Sequence, residues 1–237
     1  MAENSVDDMY EGCENKMATK VMTELLAREK KMTKNFRLAW DEPGMKKSQV
    51  LEKEQNMAVY AYTLDKPEIF TEFNNALRTQ RAQYTSTFQY HSLHFFLTGA
   101  LRALNCVKTY RRTNCKFETD INREIRFGGF TSSSEGGYPS PHFGDQSCFE
   151  ITTCFGARIS KFSMFESENE VLIPPYEVFK VTDIQKRSGK NFLPCQVVYK
   201  LKSTNNPRSS LNCALTKSER TNHGYSCLYL GNAANIR

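Results

Sequence analysis

The run Phe165-Glu166-Ser167-Glu168-Asn169-Glu170-Val171-Leu172-Ile173-Pro174-Pro175 sets three carboxylates at every second position directly before an apolar strand. Positions two apart in an extended chain share a face, so Glu168 and Glu170 are expected to project together. Like charges that close raise at least one pKa, a cost that a functional site justifies. On spacing alone the simpler reading is an acidic, solvated strand end, because E-x-E is a weak signal.

Outward from this run, the chain after Cys106 breaks into short β-branched and aromatic stretches separated by Gly, Pro, Ser and Asn clusters. The expected strands are Val107–Arg111, Ile125–Phe130, Phe149–Thr153, Ala157–Phe162, Val171–Ile173, Glu177–Thr182 and Gln196–Leu201. Before Cys106 the texture is helical. Met17, Val21, Met22, Leu25 and Leu26 form a stripe on a segment from about Cys13 to Lys31. Pro67 opens a second helix with Ile69, Phe70, Phe73 and Leu77 on one side. A third, from about Tyr90 to Leu104, is apolar around much of its circumference and is expected to be buried. Helices followed by strands argue an α+β fold rather than alternating α/β. With no repeat and no linker, one domain is expected: a helical part at about 1–105, a β core at about 106–213 and a tail at 214–237.

The 237 residues are ordinary for a globular protein, with 39% hydrophobic and 24% charged residues and a mean hydropathy of −0.58. No stretch approaches a membrane-spanning length. The charge is uneven: residues 184–237 carry nine Lys or Arg against one acid, Glu219, a net +8, leaving −2 for everything before. Such a surface attracts acidic polymers or headgroups, or simply keeps the protein soluble. Its aromatics form no stacking platform, so nucleic acid is not an expected partner. Eight cysteines, an even number and mostly widely spaced, fit a disulfide framework in an oxidising compartment. The four histidines do not stand with cysteine pairs as zinc ligands would, so no metal is expected. The first residues lack a signal-peptide pattern, so a secreted form is expected to have lost its leader. The last lack an anchor-directing tail, so a lipid-anchored form would be a trimmed one.

Two more stretches bear on the acidic run. Phe130-Thr131-Ser132-Ser133-Ser134 ends an expected strand in hydroxyls, and Tyr110-Arg111-Arg112 ends another in fixed positive charge. Singly, the serines read as a turn and the arginines as surface charge. Together, an Arg for phosphates, a Ser to orient a carboxylate and a Glu beside a developing cation make a workable site for cleaving an N-glycosidic bond.

These residues resemble the vertebrate extracellular arginine-specific mono-ADP-ribosyltransferases, which share a fold with bacterial toxins bearing an R-S-ExE signature. The similarity runs from Asp7 to Cys213. It includes Asp7-Asp8-Met9-Tyr10-Glu11-Gly12-Cys13, Ala61-Tyr62-Thr63, Ser92-Leu93-His94-Phe95, Val107-Lys108-Thr109-Tyr110-Arg111, the Phe130–Ser134 run, Thr153-Cys154-Phe155-Gly156 and Glu170 to Pro175. The resemblance implies helices followed by a two-sheet β core with an NAD cleft. It implies transfer of ADP-ribose from NAD, or NADP, to an arginine of a target protein, in a secreted or cell-surface monomer.

By resemblance, Arg111 holds the dinucleotide phosphates and Ser132 orients Glu170. Glu170 binds the nicotinamide ribose and stabilises an oxocarbenium-like transition state, and Glu168 orients the acceptor guanidinium and helps remove its proton, a division like that of paired glycosidase carboxylates. Tyr62, Phe143 and Ser163 match cleft-lining positions, with Phe143 expected to pack on nicotinamide. Many relatives have Gly where Arg112 stands, so its side chain must point away from the cleft. Some carry a polar residue in place of Gly129. The family's cystines imply Cys13–Cys213 and Cys106–Cys154; Cys115–Cys148 and Cys195–Cys227 are guesses for the rest. Two alternatives stand beside the transferase: an NAD glycohydrolase, in which water replaces arginine, and a catalytically silent secreted ligand.

Overall fold

The computed structural model describes residues 2–42, 44, 49–102, 106–189 and 191–217. Leu104 and the tail beyond 217, with Cys227, lie outside the described residues.

The first expected helix is a continuous rod. Helix α1 (Glu14–Lys20) passes through a π turn (Val21–Leu25) into α2 (Leu26–Met32), with helical backbone angles at both joints. A π turn holds more residues than an α turn. The four-residue spacing of Met17, Val21 and Leu25 therefore stays on the buried face, whereas Met22, expected in the stripe, faces solvent. Two further helices were not expected: α3 (Lys34–Trp40) and α4 (Lys53–Thr63). Helix α4 starts on a reciprocal cap between Glu52 and Gln55, which satisfies amide groups left open at a helix start. Helix α5 (Ile69–Thr79) buries Ile69, Phe73, Ala76 and Leu77, and α6 (His91–Ala100) is buried along most of its length.

Eight strands follow: β1 (Val107–Thr113), β2 (Glu124–Ile125), β3 (Thr131–Glu135), β4 (Ser147–Thr153), β5 (Ala157–Arg158), β6 (Glu170–Ile173), β7 (Phe179–Lys186) and β8 (Val197–Ser203). Their order is β2-β7-β8-β4-β1-β3-β6-β5. Where two sheets were expected, the pairings link into one ladder, but its parts meet at a narrow seam. Strand β1 pairs with β4 from Val107 to Thr113, yet meets β3 only at Thr109 with Glu135 and Tyr110 with Ser134. Phe130, Ile159 and Leu172 pack into the helical core, while Phe149, Ile151, Ile173 and Phe179 belong to a second core. The serine run, read singly as a turn, is strand β3. Thr131 and Ser133 are buried on one face, and Ser133 donates to the Val171 carbonyl at 2.9 Å.

Cystines Cys13–Cys213 and Cys106–Cys154 are present as the resemblance implied. The other guesses are corrected: Cys148 bridges Cys195, and Cys115 is exposed and free. The ladder explains this. Parallel pairing of β4 with β8 brings buried Cys148 beside the entry of β8, where Cys195 lies, whereas Cys115 sits beyond the end of β1.

The N-terminal segment closes the molecule through Asp7. Its buried carboxylate accepts from Arg126 at 2.9 Å, Arg81 at 3.3 Å, the Ser210 hydroxyl at 2.9 Å and the Leu211 amide at 3.0 Å. Nearby, the Cys13–Cys213 bridge spans 200 positions. Replacing both cysteines by Ser should lower unfolding free energy by about 2–5 kcal/mol in urea titrations, because the unfolded chain loses its longest constraint. Cys115→Ser should leave it within about 0.5 kcal/mol, as for a surface change.

Candidate active site

The seam between β1 and β3 is where the expected site residues meet. Side chains alternate along β1, so Arg111 and Arg112 leave it on opposite faces. The Arg111 Nη1 donates to the Ser132 carbonyl at 2.6 Å, tying β1 to β3 just beyond their paired residues. Arg112 still borders the smaller lobe, but its guanidinium is held elsewhere, donating from Nη2 to the Pro194 carbonyl at 2.6 Å and lying over the Tyr138 ring.

Strand β6 brings Glu170 opposite Ser134, and its carboxylate is buried. It accepts hydrogen bonds from the hydroxyls of Ser132 and Ser163, the latter at 3.3 Å. Burial raises its pKa above the usual glutamate value, the Glu168 charge adds to the rise, and the two serines and Arg111 oppose it. Glu168 reaches the same space by another route than strand alternation. It closes a 3₁₀ turn (Glu166–Glu168), and Asn169 takes a left-handed conformation, φ 47°, before the strand begins. Asparagine tolerates that conformation better than most residues. The Ser134 hydroxyl donates to the Glu168 carbonyl at 3.0 Å and steadies the turn. The Glu168 carboxylate has no hydrogen-bond or ion-pair partner among the described residues.

Two lobes of one cleft surround these groups. Arg111, Ser132, Phe143, Glu168 and Glu170 wall both lobes, of about 330 and 540 Å³. Ser140 and Asn169 belong to the smaller, Tyr62, Asn74 and Arg78 to the larger. Phe143, 55% exposed, stands where the lobes meet and is not a core side chain. Ser163 does not wall either lobe; its buried hydroxyl touches Glu170 and accepts from the Phe165 amide at 3.1 Å, linking the acidic turn to the carboxylate.

Tyr62 is buried behind the larger lobe. Its hydroxyl donates to the Phe130 carbonyl at 3.0 Å and accepts from the Asn74 amide at 3.0 Å. Burial pushes the phenol up to about 12, so it stays a neutral donor. Asn74 and Arg78 were missed by the sequence reading. They form an i, i+4 row beside the apolar row Phe73–Leu77 of α5, a spacing that puts both on one flank. They also explain Gly129: a β-carbon there would lie 2.7 Å from the Asn74 Oδ1. The place a larger residue would take is filled from the helix. Arg78 puts a second guanidinium on the lobe that Arg111 walls; burial first, and this like charge with it, lowers the Arg111 pKa.

The model of the NAD:arginine ADP-ribosyltransferase family matches residues 1–203. This chain belongs to that family. It is 33% identical over 239 residues to the erythroblast NAD(P)(+)–arginine ADP-ribosyltransferase of Gallus gallus, covering 93% of this chain and 76% of that one. It is 35% identical over 195 residues to the T-cell ecto-ADP-ribosyltransferase 1 of Rattus norvegicus, covering 76% and 69%. The crystal structure of the eucaryotic mono-ADP-ribosyltransferase ART2.2 superposes with TM-score 0.70 at 30% identity, covering 96% of this chain and 97% of that one. A mutant of ART2.2 in complex with NADH gives 0.66 at 28%, covering 97% of each.

Tyr62→Phe in this transferase would leave the Phe130 carbonyl and the Asn74 amide without their shared partner. A loss of about 1–3 kcal/mol is expected by urea titration, since both groups are buried. A change below about 0.3 kcal/mol would show that neither bond contributes.

Proposed function

We propose that this chain is an extracellular enzyme that transfers a single ADP-ribose from NAD to the guanidinium of arginine in target proteins. The observation that carries the reading is the joint placement in a cleft walled by Arg111 of a buried carboxylate, Glu170, and of Glu168, whose carboxylate has no partner among the described residues. Three cystines fit the oxidising compartment in which such an acceptor surface would be met.

The roles follow from the chemistry of each position. Arg111 offers fixed positive charge to the pyrophosphate, and Arg78 a second cation for the same anion. Phe143 presents an apolar ring to nicotinamide where the lobes meet. As the bond between ribose C1 and the nicotinamide nitrogen breaks, its electron pair leaves with nicotinamide and positive charge grows on the ribose. The Glu170 carboxylate, poorly solvated, gains most from a cation in that place, and Ser132 and Ser163 fix its orientation. A guanidinium nitrogen then bonds to C1 and must shed a proton. Glu168, with no partner among the described residues to give up, accepts it. Water in place of arginine yields the glycohydrolase reaction from the same first step.

Labelled NAD with the small guanidine agmatine separates these steps. Glu170→Gln should lower both nicotinamide release and agmatine labelling by about 100- to 1000-fold. Glu168→Gln should lower agmatine labelling by about 100- to 10,000-fold while nicotinamide release persists. Loss of both activities by one factor in Glu168→Gln would instead assign this residue to NAD binding or to the turn. Near-wild-type turnover of Glu170→Gln would defeat the whole reading.

A further inference from the structure

Arg112, which borders the smaller lobe, sends its guanidinium to a surface that the reaction does not use. Its bond to Pro194 grips the connection between β7 and β8. That connection is braced from several sides. Cys195 is bridged to Cys148, and Nε and Nη2 of Arg187 donate to the Leu193 carbonyl at 3.2 and 2.8 Å. The Asn191 side chain accepts from the Ser188 amide at 2.8 Å and donates to the Lys186 carbonyl at 3.1 Å. On this frame Phe192 stands fully in solvent, at 106% relative exposure.

A lone exposed apolar residue is commonplace. Three observations set Phe192 apart. Its described neighbours Asn191, Leu193 and Pro194 are each held by a hydrogen bond. Beside it lies an open concavity whose walls include Tyr138, Leu193 and Pro194. The next residues, Pro139 and Ser140, wall the lobe that holds Glu168 and Glu170, so the concavity and the catalytic cleft share one partition. Around it, Lys186 and Arg187 are exposed and have no acidic partner among the described residues. They open the basic stretch at 184–237, whose charge the reaction leaves unexplained.

We propose, on the reading that the chain modifies arginine, that this braced loop is a docking surface for the acceptor protein. Phe192 and the concavity take an apolar side chain of the acceptor, and Lys186 and Arg187 face carboxylates flanking the target arginine. A single aromatic beside an open hollow fits a protein surface better than a lipid layer, and the hollow's wall at Tyr138 continues into the cleft wall at Pro139 and Ser140. Buried aromatic anchors ringed by polar contacts carry much of the energy in such interfaces.

The test compares agmatine with two twelve-residue peptides, each with one central arginine, one flanked by Leu and Glu and the other by Gly and Ser. An extended peptide of this length spans about 40 Å, enough to lie across cleft and loop. The wild type should favour the Leu/Glu peptide by about tenfold in kcat/KM, and Phe192→Ser and Lys186→Glu should each erase most of that preference, as expected for an interface contact worth more than about 1 kcal/mol. Agmatine labelling should be unchanged in both variants. No preference in the wild type, or an equal loss on peptide and agmatine, would overturn the proposal. So would loss of co-sedimentation with phosphatidylserine vesicles in Phe192→Ser with peptide preference intact, which makes the loop a membrane contact. If the wild type labels neither agmatine nor peptide, the transferase reading itself falls and this surface with it.

Discussion

The carboxylate of Glu170 is held out of water by two serine hydroxyls, and much of the surrounding structure serves to keep it there. Ser132 comes from β3, Ser163 from the segment before the acidic turn, and the opposing charge of Arg111 from β1. These elements meet because β1 and β3 share only two paired positions. A longer pairing would close the sheet over the site. The shorter one leaves a gap bridged by the Arg111 bond to the Ser132 carbonyl, and the cleft opens at that gap. The cost of burying this carboxylate is offset in part by its hydrogen bonds to Ser132 and Ser163.

Behind the seam, the helical half acts as a backstop. Tyr62 on α4 and Asn74 on α5 reach the Phe130 carbonyl in series, so the strand carrying Ser132 is fixed from the helices as well as from β6. His94 of α6 lies against Phe130, and burial holds its pKa down to about 3, leaving it neutral and able to bond to the Tyr10 hydroxyl at 2.6 Å. Tyr10 belongs to the N-terminal segment that Asp7, Asp8 and the Cys13–Cys213 bridge lock in place. The sequence motifs far from the cleft thus connect, contact by contact, to the strand that presents the serine.

The helix-then-strand order, the core face of α5 and the meeting of Arg111, Ser132 and Glu170 were legible in the sequence. Periodicity and strand texture act locally, and the family resemblance supplied the long-range pairing. Helices α3 and α4 were not legible: α3 is short, and α4 is capped by Glu52 and Gln55 in place of the usual Ser or Thr signal. The E-x-E geometry was half legible. Both carboxylates enter one cleft, but through a turn at Asn169 that spacing cannot show. Cys148–Cys195 escaped because it depends on β4 and β8 running parallel, a fact of topology rather than of neighbouring residues.

Glu170 and Glu168 share one field inside the cleft, with burial lifting the first. A carbon-13 NMR titration of the Glu170 carboxyl, in the wild type and in Glu168→Gln, measures this without reference to turnover. The account predicts a Glu170 pKa above that of an exposed glutamate and a clear fall when the neighbouring charge is removed. A value at or below the ordinary one, unmoved by Glu168→Gln, would contradict it.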